Sequence, residues 1–97
     1  LGEKVPAEQA EAWGMIWRCV DDEALMDEAL MMARQLASQP TQGFALTRRA
    51  LQASSTNTLD QQLDLERDLQ RLAGRTEDYR EGVAAFMEKR KPEFKGC

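Results

Sequence analysis

The chain has 97 residues, a formal net charge of −4, two cysteines and no histidine. A chain of this length forms one domain at most, with a modest core. Its 42% hydrophobic and 31% charged content is typical of a folded protein. The lack of histidine removes the commonest general base and metal ligand, and the acidic balance disfavours nucleic acid as a partner. The residue types therefore indicate no metal site and no catalytic residue.

The first residues and the cysteines bear on two questions: whether the chain is part of a longer protein, and in which cellular compartment it works. Leu1 is not an initiator methionine, and LGEKVP lacks the features of a signal peptide, so we expect a piece of a longer protein. No stretch approaches the roughly 18 apolar residues of a membrane span, so we expect no membrane partner. Cys19 and Cys97 are too few for a disulfide framework. Together these features lead us to expect a cytoplasmic location.

The first third of the chain predicts a helix, a strand and a second helix. Pro6 is suited to the start of a short helix, because its missing N–H is not needed there. Residues Met15 to Val20 alternate loosely and suit a strand, which predicts one short strand. Asp21 and Asp22 are suitable N-caps for a helix over Glu23 to Ser38.

Three more helices follow, with predicted spans of Thr41 to Ala53, Thr58 to Ala73 and Thr76 to Arg90. Thr58 and Gln61 have the spacing of a capping box. Gly82 lies inside the last helix, where glycine costs about 1 kcal/mol relative to alanine. We therefore expect another backbone or a ligand to approach it closely. Pro92 ends that helix, since the residue before a proline disfavours the helical region.

The end of the chain combines aromatic and cationic side chains. Phe86 and Lys89 are three residues apart in the predicted helix and would be neighbours on its surface. Such a pair could hold a phosphorylated or nucleotide-bearing ligand. Alternatively, Phe86 belongs to a core and the cations are solvated, complementing the helix dipole. Spacing alone favours the second interpretation.

Several segments resemble one family in the expected order. They are AEQAEAWGMIWRCV at 7–20, LTRRAL at 46–51, LDLE at 63–66 and EGVAAFMEKRKPEFKG at 81–96, of which the last is the most specific. Over essentially its full length the chain resembles the C-terminal part of the enoyl-CoA hydratase/isomerase (crotonase) superfamily. Within it, the chain is most similar to the phenylacetate-degradation branch, whose isomerase acts on a ring-epoxidised phenylacetyl-CoA.

The resemblance implies a fold and a division of labour. The fold is mainly α, with about five helices and one short strand. Residues 1–22 would end the crotonase core, and residues 23–97 would form a helical trimerisation region. The ββα spiral, which carries the oxyanion-hole amides and acidic catalytic residues of the family, would lie upstream. No catalytic residue is therefore assigned in this chain.

The resemblance also implies ligand contacts and partners. Phe86 and Lys89 match positions that reach the coenzyme A of a substrate bound in a neighbouring subunit, while Arg90 and Lys91 stay undecided. Lysine suits phosphate as a mobile point charge. We expect an acyl-CoA substrate, no permanently bound cofactor, and a homo-oligomer that is a trimer or a dimer of trimers. The alternatives are an enoyl-CoA hydratase of fatty-acid oxidation and a non-enzymatic helical interaction module.

Overall fold

The computed structural model describes residues 2–97, which form five α-helices. The helices are α1 (Ala7–Ala12), α2 (Leu25–Ala37), α3 (Thr41–Ser54), α4 (Leu59–Ala73) and α5 (Glu77–Glu88). The predicted mainly helical fold is confirmed. The chain divides into two compact units, Leu1–Met32 and Ala33–Cys97. Within residues 2–97, no helix combines the length and the apolar character needed to cross a membrane.

The short strand predicted for Met15 to Val20 is not formed. Residues 15–17 bend after α1, and residues 18–20 have no regular structure. The N–H of Met15 donates to the carbonyl of Ala10 at 2.9 Å, so this backbone completes the end of α1. A strand also needs a neighbouring strand for its hydrogen bonds, and residues 2–97 contain none. The strand-forming composition of this segment was therefore misleading.

The helix α2 begins two residues later than predicted. Residues 22–24 form a turn. The carbonyl of Asp21 accepts from the N–H of Ala24 at 3.0 Å, and that of Asp22 accepts from the N–H of Leu25 at 3.4 Å. The two aspartates thus lead into the helix through their backbone carbonyls. Their charges still suit the positive end of the helix dipole.

The helices α3 and α4 pack against each other. Gln62 of α4 donates from Nε2 to the carbonyl of Ala50 in α3 at 3.2 Å and accepts at Oε1 from Asn57 at 3.0 Å. Pro40 occupies the N-cap of α3 with no side-chain cap hydrogen bond, and Thr41 is the first residue of the helix. A polar side chain therefore links the two helices beside their short connection.

The helices α4 and α5 each begin with a threonine as N-cap. Thr58 accepts from the N–H of Gln61 at 3.4 Å, and Gln61 Oε1 accepts from the N–H of Thr58 at 2.9 Å, which confirms the capping box. Thr76 accepts from the N–H of Tyr79 at 3.1 Å. Gly74 is the C-cap of α4.

Most large apolar side chains are exposed. Among residues 2–97, the buried apolar residues are Leu69 and Ala85. Leu51, Leu59 and Met87 are each at least 68% exposed. Extended apolar surface of this kind marks interaction sites in folded proteins.

Candidate functional site

The helix α5 ends in a left-handed turn at Lys89, where φ is 57°. The N–H of Lys89 donates to the carbonyl of Phe86 at 3.3 Å, and the N–H of Arg90 donates to that of Ala85 at 3.0 Å. These two hydrogen bonds define a Schellman motif. The left-handed conformation costs a residue with a side chain about 1 kcal/mol. The helix therefore ends at Glu88, two residues before the predicted end.

Residues 90–97, called the tail below, run back along α5 to its first turn. Asp78 Oδ1 accepts from the N–H of Lys95 at 2.6 Å, and Oδ2 accepts from the N–H of Gly96 at 2.8 Å. The N–H of Asp78 donates to the carbonyl of Cys97 at 3.0 Å. Asp78 is only 3% exposed. Burying a carboxylate is unfavourable unless hydrogen-bond donors replace water. The two tail amides are such donors, and they explain why the carboxylate of Asp78 can be buried.

A second carboxylate, that of Glu81, holds the start of the tail. It accepts from the N–H of Glu93 at 2.8 Å and forms a two-pronged ion pair with Arg90, with N–O distances of 2.5 and 2.8 Å. Arg90 Nε also donates to Glu88 at 2.6 Å. The hydrogen bonds from Arg90 and from the Glu93 N–H lower the pKa of Glu81 from 4.5 to about 2. Arg90, whose role the sequence left undecided, is thus engaged by two carboxylates.

An apolar groove of about 390 Å³ lies between α5, the first turn of α3 and the tail. Tyr79, Val83 and Phe86 line it from α5, and Phe94 lines it from the tail. Phe86 is 82% exposed. The apolar side chains of α5 therefore form one wall of an open groove, and the exposed ring of Phe86 is part of that wall.

Two glycines show how closely the tail is packed. A Cβ added at Gly82 would lie 3.6 Å from Cε1 of Phe94, which is ordinary contact, so the neighbour of Gly82 is an aromatic side chain rather than the expected backbone or ligand. Gly96 has a φ of +79°, and a Cβ there would lie 2.7 Å from Oγ1 of Thr41. The end of the tail therefore fits against the start of α3 only as glycine.

The two residues predicted to contact coenzyme A lie on different local structures. Phe86 belongs to α5 and lines the groove. Lys89 is exposed, follows the helix in the left-handed conformation, and is not part of the groove wall. Lys89 therefore lies outside the helix, and the prediction that helical spacing makes it a surface neighbour of Phe86 does not apply. No carboxylate within residues 2–97 forms a salt bridge with Lys89.

Asp78 and Phe94 were missed as site residues. In the sequence, Asp78 is one more acidic residue in a first helical turn, and Phe94 follows Pro92 with no helical or strand period. The one available signal is Gly96, because a glycine beyond a proline can allow a close approach of backbone. For metal binding, residues 2–97 hold no cluster of three or more histidine, cysteine or carboxylate side chains that could bind an ion.

Residues 1–97 match the enoyl-CoA hydratase/isomerase family over their whole length. The chain belongs to this family. The predicted membership of the crotonase superfamily is confirmed. The match covers both the tail and the groove.

Individual relatives are much longer than the chain. It is 62% identical over 96 residues to 1,2-epoxyphenylacetyl-CoA isomerase of Escherichia coli K12, covering 99% of the chain and 37% of the relative. It is 34% identical over 95 residues to 2,3-dehydroadipyl-CoA hydratase of the same organism, covering 98% and 37%. The crystal structure of an enoyl-CoA hydratase subunit I from Geobacillus kaustophilus HTA426 matches with a TM-score of 0.93 and 38% identity, covering 99% and 37%. The chain thus spans 37% of the length of these relatives.

Proposed function

We propose that the chain is the C-terminal part of an acyl-CoA isomerase that acts on ring-1,2-epoxyphenylacetyl-CoA in phenylacetate catabolism. The observation that carries this proposal is the 62% identity to the E. coli isomerase over 96 residues. Identity to the dehydroadipyl-CoA hydratase over a similar span is 34%. No residue of the chain is proposed to act on the bond that reacts.

The contribution of this chain to the reaction would be ligand binding. Phe86 offers an exposed ring beside an apolar groove, which suits a flat heteroaromatic group such as adenine. Lys89 offers an ammonium group that no carboxylate of residues 2–97 pairs with, which suits a phosphate. We therefore assign both residues to contacts with the coenzyme A part of the substrate. Coenzyme A would arrive with each substrate molecule, and no permanently bound cofactor is proposed.

The exposed apolar faces support a role in assembly. Leu51, Leu59 and Met87 are at least 68% exposed, although side chains of this kind are normally covered in a folded protein. We propose that the rest of the polypeptide and other copies cover these faces, in a trimer or a dimer of trimers. The assembled enzyme would work in the cytoplasm.

The reaction can be tested with the full-length protein and two substrates. Ring-1,2-epoxyphenylacetyl-CoA should be isomerised with a larger kcat/KM than that for hydration of a straight-chain 2-enoyl-CoA. The reverse order would replace the proposal with an enoyl-CoA hydratase. A folded protein that acts on neither thioester and binds neither would favour the helical interaction module.

The ligand contact can be tested with two lysines of the same segment. In the full-length protein, Lys89→Ala should raise the Kd for coenzyme A about tenfold, because a hydrogen bond to a charged group contributes about 1.5 kcal/mol or more. Lys91→Ala is the matched control, since it removes an exposed cation two residues away. An unchanged Kd in Lys89→Ala would remove Lys89 from the site. Equal losses in both variants would show general attraction to the cationic segment instead of a specific contact.

A further inference from the structure

Asp78 is the most deeply buried charged residue of the described chain. Its carboxylate oxygens accept from the backbone N–H groups of Lys95 and Gly96, and within residues 2–97 no cation forms a salt bridge with it. The tail therefore supplies all the side-chain hydrogen bonds that compensate its burial. Without the tail, the carboxylate would be exposed, and without the carboxylate, two amides of the tail would lose their acceptor.

The tail in turn completes the groove. Phe94 packs over Gly82 and lines the groove together with Tyr79 and Phe86. Gly96 anchors the other end of the tail against the start of α3. Removing the tail would therefore take away one wall of the groove that displays the ring of Phe86.

The tail also influences the position of Lys89. Lys89 directly precedes the tail and has a left-handed backbone that is unfavourable for a residue with a side chain. The hydrogen bond from the Arg90 N–H to Ala85 holds this conformation, and Arg90 is itself fixed by Glu81. Glu81 holds the start of the tail and Asp78 holds its end. A tail released at Asp78 would depend on Glu81 alone, which would let Lys89 leave the left-handed region more readily and move its ammonium group.

We propose that Asp78 is a positioning residue that orders Phe86 and Lys89 for coenzyme A by holding the tail against α5. This inference rests on the proposed function, because it assigns the purpose of the tail to the same ligand contacts. The part of Asp78 is to accept two backbone hydrogen bonds. Its side chain performs no proton transfer.

The chain contains a matched control for this proposal. Asp60 occupies the same position in α4 that Asp78 occupies in α5, the second residue after a capping threonine. Asp60 is exposed and makes no side-chain hydrogen bond within residues 2–97. Asp60→Asn therefore reproduces the change of charge near a helix start without touching the tail.

The test compares Asp78→Asn and Asp60→Asn in the full-length protein. In Asp78→Asn, the amide group cannot accept from both tail N–H groups, so trypsin should cleave the Lys95–Gly96 bond faster than in the wild type. The KM for the CoA thioester and the Kd for coenzyme A should rise about tenfold while kcat is unchanged. Asp60→Asn should match the wild type in all of these measurements.

A second variant reaches the tail without altering Asp78. Gly96→Ala places a methyl group 2.7 Å from Oγ1 of Thr41 and strains a positive φ, so it should release the tail and raise the Kd in the same way. A fall in kcat to the same extent as the rise in KM would indicate general damage and overturn the positioning role.

The outcomes separate this inference from the proposed function. Faster tryptic cleavage with an unchanged Kd in both variants would refute the positioning role and leave the proposed function intact. An unchanged rate of tryptic cleavage in Asp78→Asn would refute the claim that Asp78 fixes the tail against α5. A wild-type protein that does not bind coenzyme A would refute the proposed function and this inference with it.

Discussion

The helices α4 and α5 begin with the same local pattern but have different surroundings. Each starts after a threonine whose hydroxyl accepts from the N–H three residues later, and each has an aspartate as its second residue. Asp60 of α4 is exposed, whereas Asp78 of α5 is 3% exposed. The local code for starting a helix is therefore shared, and it does not determine the burial of the aspartate.

The difference comes from a distant part of the chain. The two amides that donate to Asp78 belong to Lys95 and Gly96, 17 and 18 residues further on. These amides reach Asp78 because α5 ends in a left-handed turn and the tail runs back along the helix. Tertiary structure thus gives one of two equivalent aspartates a second role, in addition to its favourable interaction with the helix dipole.

The largest contrast should appear when each aspartate is replaced by alanine. Asp78→Ala leaves two tail amides without their acceptor, which should lower the opening free energy of the Lys95 and Gly96 amides by about 2 kcal/mol. Asp60→Ala should leave these amides unchanged and weaken its own helix start by about 0.5 kcal/mol. Native-state amide hydrogen exchange on the full-length protein measures both. Equal effects at the two sites would contradict the distinction between them.

The two N-cap threonines, unlike the two aspartates, should contribute equally to the stability of their helices. Thr58→Ala and Thr76→Ala should each lower the opening free energy of the first turn of its own helix by about 1 kcal/mol, because both remove an N-cap acceptor. Thr58→Ser and Thr76→Ser keep the hydroxyl and should show little change. The same exchange experiment checks this prediction, and a negligible effect at either threonine would show that its cap hydrogen bond contributes no stability.

A smaller change of opposite sign is expected at Gly82, in the middle of α5. Gly82→Ala should raise the opening free energy of α5 by about 0.5–1 kcal/mol, since alanine is the better helix former. The tail should stay in place, because the new Cβ would lie 3.6 Å from the ring of Phe94. Amide exchange across α5 measures the change. A destabilised α5 in the full-length protein would show that another backbone or a ligand occupies this space.

A further prediction concerns the dependence of the tail contacts on pH. The pKa of Glu81 falls from 4.5 to about 2 in the folded chain, through its hydrogen bonds with Arg90 and the Glu93 N–H. A depressed pKa in the folded state means that the contribution of Glu81 is fully present above pH 4.5 and disappears as the pH falls toward 2. Tryptic cleavage is unsuitable at such pH, so carboxyl chemical shifts should be followed by NMR. Titration of Glu81 near pH 4.5 would contradict the ion pair, and Glu81→Gln identifies its signal.

Local rules predicted the starts of α4 and α5 but not the end of α5. The capping box of Thr58 and the cap at Thr76 follow from side chains within one turn, and the sequence specifies them directly. Pro92 predicted a helix end near Arg90, whereas the helix ends at Glu88. A lysine with a positive φ is uncommon, so no residue preference indicates this turn. The fit of the tail against α5 and α3 stabilises it.

Local sequence rules also fail to identify most of the candidate site. Phe86 was found as a ligand contact through the resemblance to a family, whereas helical spacing alone favoured a place in a core. Asp78 and Phe94 acquire their roles only when the tail is placed, and that placement depends on contacts between residues far apart in sequence. The predicted strand at Met15 to Val20 was wrong for a related reason, because a strand depends on a neighbour that residues 2–97 do not provide.

A double-mutant cycle on coenzyme A affinity tests most directly whether Asp78 acts through the ligand-contacting residues. The Kd is measured for the full-length wild type, Asp78→Asn, Lys89→Ala and the double variant. If Asp78 acts by positioning Lys89, each single change should raise the Kd about tenfold, and the double variant should show a similar rise because Lys89 is already absent. A rise of about 100-fold in the double variant would mean that the two residues act independently, and it would contradict the proposed link between the tail and Lys89.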